Sequence, residues 1–203
     1  MPAWHGWHHL MANTYGTWLP GDGRGFRTRD HREHVEGDYK SPPPKGKYDA
    51  RHDHARGLMK REPVVLSVEA REAAVRAIQH ALVTVHALEV LAIAVGSMHL
   101  HVLVRLPEKG KPMFSKRGLR TSAINDPPRH YMGIAKKESA KSLAAAGLVQ
   151  PGGIWARRGK IVPIRDRPYQ VNVVHYILKH FEEGAAIWSF RDPDVVHVQK
   201  PTV

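Results

Sequence analysis

The 203-residue chain has no cysteine and comparatively few acidic residues. The absence of cysteine excludes a disulfide framework, a cysteine-ligated zinc or iron–sulfur site and a thiol nucleophile. Asp and Glu number 19 against 31 Lys and Arg, which gives a formal net charge of +12. Such an excess of positive charge is typical of proteins that bind polyanions, nucleic acid foremost. Because the chain has no cysteine, any bound metal ion must be held by histidine and oxygen ligands.

The chain also lacks a long hydrophobic run. No segment reaches the roughly 18 apolar residues that span a bilayer, and Met1–His5 lacks the basic and then apolar order of a signal peptide. We expect an intracellular, cytoplasmic protein with no membrane contact. Apolar residues make up 42% of the chain, close to the globular average, and the length fits one domain, residues 1–203, that carries an insertion or tails.

Large hydrophobic residues are almost missing from residues 20–62, which are crowded with Gly, Pro, Arg, Asp and His. Such a segment cannot build a core, so we expect a polar surface loop or insertion there. Its histidines are expected to be solvated rather than metal-bound: His31, His34, His52 and His54. Residues 185–203 are expected to form a C-terminal tail.

The rest of the chain alternates between strand-like and helix-like apolar patterns. Strands are predicted at Trp7–Tyr15, Leu88–Val95, Met98–Leu106 and Trp155–Ile164, and helices after an N-cap at Ser67, at Arg129–Ala146 and from Pro168 to Gly184. The resulting order β-α-β-β-α-β-α predicts an α+β protein with a ferredoxin-like (split βαβ) antiparallel sheet and an added C-terminal helix.

The strand Met98–Leu106 carries two histidines on one face. Because side chains alternate along a strand, His99 and His101 point the same way, and the other face is an apolar row of Leu100, Val102, Val104 and Leu106. One interpretation is an ordinary wet face of an antiparallel sheet. The other is a divalent cation held by the two imidazoles together with oxygen ligands.

The last predicted helix has an apolar side and an opposite side that carries residues able to do chemistry. Its apolar residues form a stripe that we expect to pack: Val171, Val174, Leu178 and Phe181. Tyr176 and His180 lie four residues apart, so they are neighbours on the opposite side of the helix. Alone, Tyr176 could be an ordinary exposed side chain, but together with His99 and His101 it suggests a site.

Four segments together resemble the single-tyrosine HUH transposases of the insertion-sequence-200 type, and in particular their REP-associated relatives. The segment Thr14–Leu19, followed by Gly21–Gly25, is similar to the first-strand signature of that family. His99–Val104 (HLHVLV) is similar to its histidine-hydrophobe-histidine motif, and Trp155–Gly159 with Tyr176–Leu178 to its closing segment. The similarity extends over most of residues 5–184.

The resemblance implies a DNA transposase that cleaves and rejoins single-stranded or hairpin DNA as a monomer or homodimer in a bacterium or archaeon, associated with the nucleoid. Tyr176 would attack a phosphodiester and form a 5′-phosphotyrosine link, with Mg²⁺ or Mn²⁺ held by His99 and His101. His180 stands where the family usually supplies a third ligand, often Gln. The position therefore leaves the preferred metal open, because imidazole suits Mn²⁺ better than Mg²⁺.

Basic residues are expected to follow the DNA backbone, although each one alone could be an ordinary surface charge. The candidate DNA-binding residues are Arg105, Lys116, Arg117, Arg120, Lys136, Lys137, Lys141, Arg157, Arg158 and Lys160.

Two other functions remain open: a non-catalytic DNA- or RNA-binding module of the same fold, as in a domesticated transposase, and a metal-dependent phosphodiesterase that uses water.

Overall fold

A computed structural model describes residues 2, 4–23, 44–110, 124–150 and 152–199 of the chain. The chain divides into two compact units, residues 14–64 and residues 1–13 with 65–203. The predicted DNA-binding residues Lys116, Arg117 and Arg120 and the histidines His31 and His34 lie outside the described residues. Among the residues that are described, no helix combines the length and the apolar character needed to cross a membrane.

The larger unit is built on a six-stranded antiparallel sheet with the strand order β4-β1-β3-β2-β5-β6. Its central strand is β3, which pairs with β1 on one side and with β2 on the other. The strands are β1 Trp7–Thr14, β2 Val90–Val95, β3 His99–Arg105, β4 Trp155–Pro163, β5 Ala186–Ser189 and β6 Asp192–His197.

Side chains cap the starts of α2, α3 and α4, and the cap of α2 is the predicted Ser67. The Ser67 side chain accepts a hydrogen bond from the Ala70 amide, and Asp126 and Asp166 accept from the amides three residues later. Proline occupies the first turn of both α3 and α4, as Pro168 predicts. The helices are α1 Asp49–Gly57, α2 Val68–Gln79, α3 Pro127–Ala145 and α4 Arg167–Lys179, with a π-helical segment at His80–Val85 and a 3₁₀ turn at His180–Glu183.

The two faces of β3 are both covered, so the interpretation of the histidine face as an open wet surface is wrong. Leu100, Val102 and Val104 are completely buried, as the alternation predicts. On the other face, Leu103 is also completely buried, in a cluster with Val173 and Ile177 of α4. Helix α4 therefore covers part of the sheet face that carries the histidines.

Residues 186–197 form the strands β5 and β6, whereas the sequence predicts a tail over 185–203. β5 extends the sheet because it pairs with β2, with Ile187 opposite Ala94. The indole N–H of Trp188 donates a hydrogen bond of 2.9 Å to the Pro193 carbonyl across the β5–β6 hairpin. A short apolar strand and a polar edge strand together give little pattern from which a sheet can be predicted.

In the smaller unit, residues 14–64, the described residues include a helix where the sequence predicts only a loop over 20–62. This helix, α1, has no buried residue, so no apolar stripe announces it. Tyr15 anchors the return of the chain, since its backbone carbonyl accepts from the Val64 amide and its hydroxyl from the Lys60 amide. His52 and His54 lie on α1, and neither belongs to a metal-binding group among the described residues.

Candidate metal centre

The pair His99 and His101 lies on β3 at the middle of the sheet, as the alternation predicts. Their ring centroids are 5.1 Å apart. In the neighbouring strand β1, Asn13 pairs with His99 and Met11 pairs with His101. His101 is only 7% exposed, so it is a buried group rather than a surface histidine.

Helix α4 is rotated relative to the stripe that its sequence predicts. Val173 and Ile177 are its buried apolar residues, while Val171 is 37% exposed. The rest of the predicted stripe, Val174, Leu178 and Phe181, is only partly buried against the same cluster. The prediction that the stripe through Val171 is the buried side of α4 is therefore wrong. Val173 and Ile177 are buried instead, because they pack on Leu103, Ala92 and Ala94 of the sheet.

This rotation brings the end of α4 over the histidines of β3. The His180 ring stacks on the His101 ring, with centroids 4.5 Å apart and planes inclined by 18°, and lies 4.9 Å from the His99 ring. One ligand nitrogen from each of His99, His101 and His180 lies within 4.8 Å of the other two. The three predicted metal ligands thus form one group in a single chain.

The nitrogen atoms of this group suit a bound metal ion. Nε2 of His99 and Nε2 of His180 are both buried and have no hydrogen-bond partner within the described part of the chain. A buried polar atom without a partner is costly, and a neutral imidazole nitrogen is a common ligand for divalent metals. Coordination of one ion would satisfy both atoms at once, which is the fit expected of a three-histidine metal site.

Two of the three histidines have a fixed partner on the other ring nitrogen. Nδ1 of His101 lies 3.0 Å from Nε2 of His9, and Nδ1 of His180 lies 2.9 Å from a carboxylate oxygen of Glu183. Such outer partners orient metal-binding imidazoles. Sequence reasoning misses both residues: the alternation of β1 places His9 on one face, but only the register between β1 and β3 places it beside His101.

The surroundings of His9, His99 and His101 lower their pKa values and so favour the neutral form of these three rings. Burial, followed by the neighbouring His180, lowers the pKa of His101 from 6.5 to about 2 and that of His9 from 6.5 to about 4. Burial and His180 also lower the pKa of His99. A neutral imidazole offers a lone pair, so His99 and His101 can bind an ion without first releasing a proton.

Gly96 gives the His99 ring its space. A Cβ atom at residue 96 would lie 2.8 Å from Cε1 of His99 and 2.9 Å from its Nε2. The Gly96 amide also donates to the His99 carbonyl at 2.8 Å across the turn between β2 and β3. The glycine is therefore needed for the close approach of the ring, and a side chain there would push the ring out of place.

Tyr176 lies at the open side of the histidine group. Its ring centroid is 4.8 Å from that of His180 and 5.4 Å from that of His101, and both contacts are edge-on. The residue is 50% exposed, so a large substrate can reach the phenol while the ring rests on the histidines. Tyr176 and His180 are therefore neighbours, as the helix spacing predicts, and Tyr176 also contacts His101 of the same chain.

The predicted DNA-binding residues that the structure describes lie at several separate places. Arg105, at the far end of β3, forms an ion pair of 3.1 Å with Glu89. Lys137 and Lys141 line a groove between α3 and the π-helical segment after α2. Lys160 lies close enough to His9 for its charge to contribute to the lowered pKa of that histidine.

A second groove, between α3 and the edge strand β4, holds the remaining basic residues. It has a volume of about 580 Å³ and is lined by Arg129, Lys136, Arg157 and Arg158. Lys136 is partly buried, and its ammonium group donates to the carbonyls of residues 156 and 157. Burial lowers the Lys136 pKa, and its contacts make it an anchor of α3 on β4 more than a free charge.

No protein-family model, no curated protein and no solved structure gives a significant match to this chain. Fold and site together define an α+β protein with an antiparallel sheet and a group of three histidines that could hold a metal ion.

Proposed function

We propose that this chain is a metal-dependent, single-strand DNA nuclease and transposase of the HUH type that uses Tyr176 as its nucleophile. The observation that carries the proposal is the contact of the Tyr176 ring with His101 and His180 inside one chain. A half-exposed tyrosine beside three clustered histidines, two of which have a buried nitrogen without a hydrogen-bond partner in the described residues, is an arrangement suited to metal-assisted attack on a phosphodiester.

In this proposal His99, His101 and His180 hold one divalent cation, Mg²⁺ or Mn²⁺. A cation at that position supplies positive charge to a phosphodiester oxygen and stabilises the negative charge that develops there. His180 replaces the glutamine that the resembled family often has. Because imidazole ligands suit Mn²⁺ better than Mg²⁺, we expect the site to bind Mn²⁺ more tightly.

The proposed reaction is a transesterification at phosphorus. The phenol of Tyr176, whose ordinary pKa is about 10, loses its proton to solvent as its oxygen attacks the phosphorus. A bond from the tyrosine oxygen to phosphorus forms and the bond from phosphorus to the 3′ oxygen breaks. That oxygen takes up a proton and leaves as a free 3′-OH, while the 5′ side stays linked to the protein. The phosphodiester is exchanged for a phosphotyrosine ester and is not hydrolysed, so the reverse reaction can rejoin the strand.

The fold supports the proposal. The inner strand order β4-β1-β3-β2, with α2 between β1 and β2 and α3 between β3 and β4, is compatible with the ferredoxin-like, split βαβ sheet that we propose. In this arrangement α4 follows as the added helix that carries Tyr176. β5 and β6 extend the sheet beyond that plan.

The charge distribution supports a polyanionic substrate. The net charge is +12, and the groove between α3 and β4 presents three guanidinium groups, those of Arg129, Arg157 and Arg158. Within the described residues, Arg157 and Arg158 have no ion pair that would neutralise them, whereas Arg105 is paired with Glu89. We propose this groove as the path of the phosphodiester backbone, because guanidinium groups match phosphate geometry.

One alternative is disfavoured by the packing of the sheet. Domains that bind RNA on a βαββαβ sheet stack bases on exposed aromatic residues of one face. Here the corresponding face is roofed by α4 over Leu103, and the next positions along β3 are His101 and His99. A platform for base stacking is therefore replaced by the three-histidine group.

The test is an SDS-resistant protein–DNA adduct. The purified chain is incubated with a pool of single-stranded hairpin oligonucleotides with random flanks, with Mn²⁺ or with EDTA. A 3′-end label is expected to migrate with the protein and a 5′-end label on a released fragment. Tyr176→Phe removes one oxygen and should remove the adduct, while Tyr169→Phe, a matched change on the same helix, should keep it. Cleavage without an adduct would favour the water-using phosphodiesterase, and binding without cleavage the non-catalytic module.

A further inference from the structure

We propose that His9 is a positioning residue: it accepts a hydrogen bond from Nδ1 of His101 and thereby leaves Nε2 of His101 to bind the metal ion. This inference rests on the metal site of the proposed function and adds to it a residue from the first strand. His9 is buried and lies on β1, next to the central strand β3.

The contact is set by the register of the two strands. His9 pairs with Leu103, so His101 is its diagonal neighbour on the same face of the sheet, and diagonal pairs are within reach of aromatic side chains. Nε2 of His9 lies 3.0 Å from Nδ1 of His101, and the ring centroids are 5.1 Å apart. Both rings are therefore held by the sheet itself rather than by a flexible loop.

The direction of this hydrogen bond decides which nitrogen of His101 can bind a metal. A neutral imidazole carries one N–H, so only one of its nitrogens has a free lone pair. If Nδ1 of His101 donates to His9, its Nε2 lone pair is free for the ion. If His9 donates instead, Nε2 of His101 carries the proton and cannot coordinate. Nδ1 itself already faces His9, so the metal must be bound through Nε2.

His9 and Glu183 then have the same task on different ligands. Glu183 holds Nδ1 of His180 at 2.9 Å and is an exposed carboxylate on the 3₁₀ turn. Metal-binding histidines usually donate their second N–H to a carboxylate, a carbonyl or water. At His101 the acceptor is a buried imidazole, which orients the ring without adding a negative charge and keeps water away from that side.

Three variants test this role. His9→Leu removes the acceptor and fills much of the ring's volume. His9→Gln keeps an acceptor, because the glutamine side-chain oxygen can take the place of Nε2. His8→Leu is the matched control, because His8 is the neighbouring residue on the opposite face of β1 and its Nδ1 contacts the Gly6 carbonyl instead.

The readout is the affinity of the purified chain for Mn²⁺ without DNA, by isothermal titration calorimetry. Loss of an outer partner typically costs about 10–100-fold in metal affinity. We expect that loss for His9→Leu, affinity within a few-fold of the wild type for His9→Gln, and no change for His8→Leu. Equal affinity of His9→Leu and the wild type would overturn the inference, and so would an equally large loss in His9→Leu and His9→Gln.

A second readout reports the tautomer directly. In long-range ¹⁵N–¹H spectra of the metal-free wild type, assigned with His101→Gln, His101 should carry its proton on Nδ1. In His9→Leu that proton should shift towards Nε2, whereas His8→Leu should leave it unchanged. A His101 ring protonated on Nε2 in the wild type contradicts the inference. Mn²⁺ binding by the wild type with no DNA adduct would defeat only the proposed function, whereas a wild type that binds no Mn²⁺ would defeat both.

Discussion

The imidazole rings of His101 on β3 and His180 at the end of α4 stack with their centroids 4.5 Å apart. These residues come from different elements, and the stack joins the central strand to the helix that carries Tyr176. The chemistry proposed for this chain depends on that junction, because it places a nucleophile from the helix beside ligands from the sheet.

Replacement of His101 by alanine should abolish Mn²⁺ binding and DNA cleavage, and it should also destabilise the fold. From the sequence alone His101 is an exposed strand residue, and its removal would cost little. The structure shows it buried and in contact with His9, so the change leaves a cavity and removes the partner of His9. We expect the free energy of unfolding to fall by about 1–3 kcal/mol, measured by urea denaturation. An unchanged urea midpoint would contradict the buried position.

Replacement of Gly96 by alanine should weaken metal binding because the new Cβ would overlap the His99 ring. The backbone should tolerate alanine, so the main effect is expected on Mn²⁺ affinity in calorimetric titrations. Gly133→Ala is the matched control: residue 133 lies in α3 with no atom within 4 Å of its Cβ position. This control should keep the affinity and raise the free energy of unfolding by about 1 kcal/mol through helix propensity. Equal metal affinity in both variants would show that the His99 ring does not need this space.

The metal-free protein should lose stability as the pH falls below about 6.5. The pKa values of His9 and His101 are lowered in the folded state, so the unfolded chain binds protons that the folded chain does not. Each group should therefore remove about 1.4 kcal/mol of unfolding free energy per pH unit between pH 6.5 and its folded pKa. Urea denaturation in EDTA at pH 7 and pH 5 measures this loss. His9→Gln should show a smaller loss than the wild type, and identical losses would contradict the assignment.

Affinity for single-stranded DNA should fall steeply with salt, and the α3–β4 groove should account for part of that slope. Each phosphate contact contributes about 0.7 log units of affinity per log unit of salt. The double change Arg157→Ala and Arg158→Ala should therefore reduce the slope by about 1.4. The matched control removes Lys137 and Lys141, which line the other groove of α3. An equal reduction in both double variants would show that the bound strand does not select the proposed groove.

Local signals in the sequence were sufficient for much of the sheet and its helices. The N-cap at Ser67, the proline at the start of α4 and the alternation in β3 each act within a few residues, and the structure confirms them. α1 could not be predicted, since none of its residues is buried. β5 and β6 are short strands that depend on pairing, β5 with β2 and β6 with β5. The ferredoxin-like order of the inner strands stays a prediction.

The candidate site shows the same division. The residue types and the two-residue spacing on β3 predict His99 and His101 as a pair, and the motif order adds Tyr176 and His180. The contact of His9 with His101 depends on strand register, and the rotation of α4 depends on the sheet residues beneath it. Neither can be obtained from local periodicity, because both are set by partners distant in the chain.

The most direct test of the central claim is the identity of the residue that becomes linked to DNA. Adduct trapped with Mn²⁺ is digested with nuclease and protease, and the peptide that carries the residual nucleotide is sequenced by mass spectrometry. The account predicts a nucleotide linked through its 5′ phosphate to Tyr176. Modification of Tyr169 or of any other residue, in protein that cleaves DNA normally, would contradict it.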